Sequence, residues 1–114
     1  MVIPVLGDPV VVDGDWNDVS VLLNLLNAEA VTLHALESTS PLMSMLVDSD
    51  GKAKQLDVNK IATTLLGMGA GEYVAGPALI VGSDRRTFLP VELSLLDLIR
   101  LGARLVRAER TALT

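Results

Sequence analysis

The stretch that most constrains the fold is the segment from 45 to 64, MLVDSDGKAKQLDVNKIATT. Its first residues continue an apolar run that predicts a strand over 42–47, placed centrally in a sheet because both of its faces are apolar. The next four residues, 48–51, predict a tight turn in which Gly51 is free to adopt a positive φ. Residues 52–56 alternate polar with apolar and predict a half-exposed returning strand. Asp57 or Asn59 then caps a helix.

Length and composition predict one domain over 1–114 with an aliphatic core. Half of the residues are hydrophobic but only 3% are aromatic, so the core must be built from Val, Leu, Ile, Ala and Met. The mean hydropathy of +0.47 is high for so small a domain. Either a tightly packed core or an apolar face hidden in an oligomer would explain it.

Several classes of function are disfavoured by what the sequence lacks. The chain has no cysteine, which removes disulfides, thiolate metal sites and thiol nucleophiles. The first residues have no basic region and are interrupted by Gly7 and Pro9, unlike a signal peptide. No apolar run approaches the length of about 20 residues that a membrane helix needs. We therefore expect a soluble, cytoplasmic protein that does not associate with membranes.

Charge is segregated along the chain. Residues 1–51 contain eight acidic residues and no Lys or Arg, whereas residues 52–114 contain nine basic and six acidic residues. The first part therefore carries a charge of −8 and the second +3, within a net charge of −5. Such asymmetry can steer association with a partner or with another copy. An acidic chain is a poor generic nucleic-acid binder, so we do not expect nucleic acid as a partner.

The other elements complete a predicted α+β fold with a single mixed sheet of about five strands and three helices, at least two of them on one face. A hairpin is predicted over 2–12 and a helix from Trp16 to Asn27, capped by Asp15. Further strands are predicted over 30–36 and 78–81. The last helix has an apolar face, and its arginines lie on the opposite side; that face comprises Leu95, Leu98, Ile99, Leu105 and Val106.

No motif in the sequence predicts catalysis, a metal or a cofactor. Asp13, Asp15 and Asn17 match only the first half of a calcium loop, and helix capping already explains them. The glycines of 67–71 follow a helix, so they indicate a C-cap and hinge and not a phosphate loop. His34 is the only histidine, and no sequence feature supplies it with a nucleophile or an orienting acid. We expect a protein that is not an enzyme.

The arginines form the most prominent candidate binding feature. Arg100, Arg104 and Arg107 lie within about 60° of one another on a helical wheel, and Arg85 and Arg86 could extend the stripe. Such a stripe can bind an anion, but it is also typical of the solvated face and negative end of a helix. Aromatic residues for stacking on bases are not interleaved with it.

Three short motifs resemble a known family. They are VDSDGK at 47–52, LDVN at 56–59 and GPALIVG at 76–82. This layout is similar to a small phage- and plasmid-borne domain family of unknown function from actinobacterial and clostridial mobile elements. The chain departs from it in having Asp48-Ser49-Asp50 where Asn-Glu-Glu is common, and Asp57-Val58 where Pro-Pro is common. The resemblance implies a phage or plasmid accessory protein in a bacterial cytoplasm, and it transfers no catalytic residues.

Asn59 has two interpretations within the central stretch. It is either an N-cap, which contributes about 1 kcal/mol, or an amide that a helix start directs at a ligand or a partner backbone. For the whole chain we expect a non-catalytic interaction module that self-associates or binds a host protein. The alternative is a protein that sequesters a small anionic ligand, such as a nucleotide, with its arginines and helix N-termini.

Overall fold

The computed structural model describes residues 1–36, 43–67, 71–83, 90–91 and 93–113. Along the chain it contains five strands and three helices. In order these are β1 (Val2–Ile3), α1 (Val19–Leu26), β2 (Val31–Leu36), β3 (Met43–Asp48), α2 (Lys60–Leu65), β4 (Ala78–Ser83), β5 (Pro90–Val91) and α3 (Leu95–Leu113). None of the helices in these ranges has the length and apolarity needed to cross a membrane.

The strands form one antiparallel sheet in the order β1-β4-β3-β2. Since β3 occupies one edge of β4, the two-residue strands β1 and β5 share its other edge, at opposite ends. The sheet is therefore four strands wide. This confirms the α+β class with three helices, whereas the predicted mixed sheet is wrong because every strand pairing among the described residues is antiparallel. The predicted width of about five strands is slightly too large.

Both faces of the sheet are covered by helices. Side chains that alternate along β3 and β4 point to opposite faces. One set, which includes Met45 and Ile80, packs against α2 and α3. The other set, which includes Leu46 and Leu79, packs against Trp16 and against Leu22 and Leu26 of α1. All six residues of β3 are buried, which confirms its predicted central position.

The predicted returning strand at 52–56 is wrong. Residues 49–55 form consecutive turns, in which Leu56 N–H donates to the Gly51 carbonyl and Lys54 N–H to the Asp50 carbonyl. A strand at 52–56 would need a free edge of β3, but β2 and β4 occupy both edges. Gly51 is not among the glycines with positive φ, so its role differs from the predicted one.

The N-terminal elements are shorter than predicted. Within 1–12, the hairpin is reduced to β1 and an antiparallel bridge between Val2 and Val10. The N-cap of α1 is Asp18 and not Asp15, because the Asp15 carboxylate accepts the Asn17 N–H in a turn before the helix. The predicted end of this helix at Asn27 is confirmed by its left-handed conformation, with φ of 50°.

The buried face of helix α3 differs from the predicted apolar face. Its buried side includes Leu101, Leu105 and Ala108, whereas Ile99 is 63% exposed and Val106 is 52% exposed. Asp97 is also buried on this helix. Its carboxylate accepts the Ser94 N–H, and its own N–H donates to Ser94 Oγ. This reciprocal capping box fixes the start of the helix.

Candidate functional site

Asn59 lies at the centre of the fold and is fully buried. Its Oδ1 accepts the Ala62 N–H at 3.0 Å, which confirms the predicted N-cap of α2. Its Nδ2 donates to the carbonyls of Ile3 at 2.9 Å and Gly76 at 3.0 Å. The amide therefore joins the start of α2 to β1 and to the segment that enters β4. Both of its donors are used within the chain, so it is not presented to a ligand or partner.

The structure separates the predicted arginines of α3 from Asn59. Arg104 is half-buried and donates from Nη2 to the Leu65 carbonyl at 3.1 Å, which stabilises the C-terminal end of α2. Asn59 caps the opposite end of the same helix. Arg100 and Arg107 lie on exposed parts of α3. Arg85 and Arg86 lie outside the described residues. The three predicted arginines of α3 thus do not converge on Asn59.

An open cleft of about 330 Å³ lies on the α2 and α3 side of the sheet, beside β2. Val47, Val74 and Ala75 contribute apolar surface to it. Its polar lining comes from three places in the chain: β2, the end of β3 with the turn that follows it, and the segment before β4. These residues are Thr32, His34, Asp48, Ser49, Lys52, Glu72 and Tyr73. Among the described residues, neither Arg100, Arg104 nor Arg107 lines this cleft.

Two contacts join polar residues of the cleft to one another. Thr32 Oγ1 lies 2.8 Å from Ser49 Oγ, in a hydrogen bond that either hydroxyl can donate. Lys52 Nζ lies 4.6 Å from the centroid of the Tyr73 ring, a cation–π contact. His34 is half-buried on the same face of the sheet as Thr32. The cleft therefore combines a hydroxyl pair with an imidazole at the margin of the sheet.

Asp48, at the end of β3, is the most strongly held charge near the cleft. Its side chain is buried, accepts the Asp50 N–H at 2.8 Å, and lies 2.8 Å from Lys54 Nζ. Burial opposes its ionisation, but Lys54 and the Asp50 N–H outweigh that effect and hold the pKa of the carboxyl below its usual range. The pair orders the turns that follow β3.

We expect the contribution of Asp48 to stability to disappear in acid. Because its folded pKa is lowered from the value of about 3.9 for an unfolded Asp, the stabilisation is complete above about pH 5 and is lost as pH falls through the folded pKa. Asp48→Asn should therefore be less stable than wild type at pH 7, with a smaller difference at pH 3. Urea unfolding at both values measures this. Asp8→Asn, at an exposed position, serves as the control. A difference that stays constant with pH would contradict the assignment.

The outer edge of β2 is open: within the described ranges, β2 pairs only with β3. The Ser49 N–H donates to the Ala30 carbonyl, which extends the β2–β3 register by one hydrogen-bonded pair. Since such pairs alternate along an antiparallel ladder, residues 32, 34 and 36 bond to β3. The backbone N–H and C=O groups of Val31, Leu33 and Ala35 therefore point away from the sheet.

The side chains of β2 do not protect this edge. The strand, VTLHAL, contains no Lys, Arg, Asp, Glu or Pro. Natural edge strands usually carry such residues, because an uncharged edge is a template for pairing with another chain. Leu33 is 51% exposed at the middle of the strand. Pairing with a further strand would satisfy the outward backbone groups and cover this side chain.

The sequence pointed to part of this region only. His34 stood out as the sole histidine, but its neighbours Lys52 and Tyr73 come from turns that local pattern does not place. The sequence shows that 31–36 contains no charged residue, but only the fold shows that this strand lies at an edge of the sheet. The site residues predicted from the sequence, Asn59 and the arginines, follow instead from the hydrogen-bonding and charge properties of these residue types.

Comparisons with protein-family models, with curated proteins and with solved structures find no match to this chain. The class that the fold defines is thus an α+β domain with one antiparallel sheet between helices. The resemblance to the phage- and plasmid-borne family stays a prediction. Among the described residues, no group of three or more His, Asp or Glu side chains is arranged to hold a metal ion.

Proposed function

We propose that this protein is a non-catalytic interaction module that self-associates by pairing β2 with β2 of a second copy. The observation that carries the proposal is the outer edge of β2, which has no charged side chain and pairs with no other strand among the described residues. Adding a strand to a sheet edge is a common mode of recognition, in which backbone hydrogen bonds supply affinity. A second copy offers the same edge, and a twofold axis makes the contact self-complementary.

The register of this pairing follows from the backbone. The groups that point outward belong to residues 31, 33 and 35, so an antiparallel pair must match these residues with one another. An axis at Leu33 pairs Leu33 with itself and Val31 with Ala35 of the second copy. It also brings the two exposed leucine side chains together on the α1 side of the sheet. An axis at His34 would instead place two imidazoles directly opposite each other, which is unfavourable whenever both are charged.

Two further expectations from the sequence concern the biological setting of the protein and the alternative of anion binding. The resemblance implies that the module serves a phage or plasmid in a bacterial cytoplasm, and we retain that as part of the proposal, with a host protein as the other candidate partner. The anion-sequestering alternative expected arginines to converge on a pocket. Among the described residues, the charged lining of the cleft is Lys52, Glu72 and Asp48, and Arg100 lies elsewhere on α3, so the described part of the cleft does not favour that alternative.

A charge at the centre of the edge should abolish the association. In Leu33→Lys two ammonium groups would face each other across the axis, and like charges directly opposite in a sheet are destabilising. We expect wild type to sediment as a concentration-dependent dimer with a dissociation constant of roughly micromolar order, because a strand pair is smaller than a standard interface. Leu33→Lys should remain a monomer.

The matched control is Ile99→Lys, which makes the same change at a 63% exposed position on α3. It should dimerise like wild type. A dimer that survives Leu33→Lys but is lost in Ile99→Lys would place the interface on α3 and contradict the proposal. Higher salt should strengthen the wild-type dimer, since both copies are acidic, whereas it would weaken binding to a basic partner.

A further inference from the structure

We infer that His34 of each copy completes the cleft of the other copy, where it hydrogen-bonds the Thr32–Ser49 hydroxyl pair. The inference builds on the proposed pairing of β2 and deepens it by naming the side chains that give it specificity. In the register centred on Leu33, Thr32 lies directly opposite His34 of the second copy. Both residues line the cleft, so the two clefts adjoin across the axis.

The geometry of the pair favours close contact. Residues 31, 33 and 35 make the backbone hydrogen bonds between copies, which leaves Thr32 and the opposing His34 as a non-hydrogen-bonded pair. Such pairs bring their side chains closest, with Cβ atoms about 4.5–5.5 Å apart. Their side chains also point to the same face as the cleft. An imidazole at that distance reaches the Thr32 hydroxyl.

The hydroxyl pair has a hydrogen available for this contact. Thr32 and Ser49 share one hydrogen bond of 2.8 Å, which uses one of their two hydroxyl hydrogens. The second hydrogen can be donated to an acceptor, and a neutral imidazole has one unprotonated nitrogen to accept it. The charged residues of the cleft lining are Lys52, which lies over Tyr73, together with Glu72 and Asp48.

The single histidine makes the inference directly measurable, because its ring protons give one set of NMR signals. We expect these signals to move with protein concentration in step with the dimer fraction seen by sedimentation. Thr32→Val keeps the β-branched shape and removes the hydroxyl. It should weaken association by about tenfold, since two equivalent pairs are lost per dimer. Thr64→Val, whose hydroxyl donates within α2 to the Lys60 carbonyl, should leave association unchanged.

The possible outcomes separate this inference from the proposed function. If Leu33→Lys abolishes the dimer, Thr32→Val weakens it and the His34 signals move on association, both are supported. If wild type dimerises through β2 while Thr32→Val binds equally tightly and the His34 signals stay fixed, the inference is overturned and the proposed function survives. A wild type that remains monomeric at millimolar concentration overturns both.

Discussion

Asn59→Asp should unfold the protein at neutral pH, although the substitution changes only one group of similar size. The carboxylate can still cap α2 through the Ala62 N–H. It cannot donate to the Ile3 and Gly76 carbonyls, and a buried negative charge would face two acceptor oxygens. We expect a loss of about 4–5 kcal/mol, because removing buried hydrogen bonds and leaving an unpaired buried charge are among the costliest changes known. That is comparable with the whole stability of a small domain.

The sign of the pH dependence gives this prediction a second readout. Burial beside two carbonyls raises the pKa of an unpaired carboxyl, and the protonated form can donate to one carbonyl. The variant should therefore regain stability relative to wild type as pH is lowered from 7 to 4. Thermal and urea unfolding at several pH values measure this. Asn17→Asp makes the same change at an exposed position and should stay within about 0.5 kcal/mol of wild type. If Asn59→Asp matched it, the structural role of the amide would be refuted.

Gly51→Ala should also destabilise the protein strongly. A Cβ at this buried glycine would overlap the Ala75 carbonyl oxygen and lie 3.3 Å from the carbonyl carbon. Those atoms are backbone and cannot rotate away. The segment is held in place because the Asn59 N–H donates to the Val74 carbonyl and the Gly76 N–H to the Asp57 carbonyl. We expect a loss of about 3 kcal/mol, typical of severe overpacking.

Gly102→Ala is the matched control for that prediction. A Cβ at Gly102, within α3, would meet no atom within 4 Å, and the residue does not need a positive φ. Alanine favours a helix over glycine by up to about 1 kcal/mol, so this variant should be more stable than wild type. Chemical unfolding of the two variants should therefore give shifts of opposite sign. Equal stability of Gly51→Ala and wild type would show that the turn yields easily and that close packing there is unimportant.

These two residues show where sequence reasoning succeeds and where it stops. The cap at Asn59 was predictable because the Ala62 N–H that it accepts is three residues away. Its buried amide was not, because the acceptor carbonyl of Ile3 lies 56 residues away in sequence. For Gly51 the sequence correctly indicates a turn that needs glycine, but the predicted reason, a positive φ, is wrong. The actual cause is the close approach of a distant segment, which no local pattern records.

The sheet and the last helix show the same limit. β3 was predictable as a central strand because it is apolar on both faces. The strand predicted at 52–56 was wrong: as a returning strand it would pair with β3, which already has neighbours on both edges. The buried face of α3 was misplaced because Asp97 and Arg104, polar residues, turn inward to bond Ser94 and the end of α2. From the sequence, only His34 of the candidate site could be singled out. Lys52 and Tyr73 could not be assigned to the same cleft, because the fold brings them there from other segments.

Backbone hydrogen exchange on β2 tests the central claim most directly. Thr32 and His34 bond inward to β3, so their amides should be protected at every protein concentration. The outward amides of Val31, Leu33 and Ala35 should exchange rapidly in dilute solution and become protected as the dimer forms, with the same midpoint as the change in mass. Outward amides that stay unprotected in a concentrated, fully associated sample would show that β2 is not the interface and would contradict the proposed function.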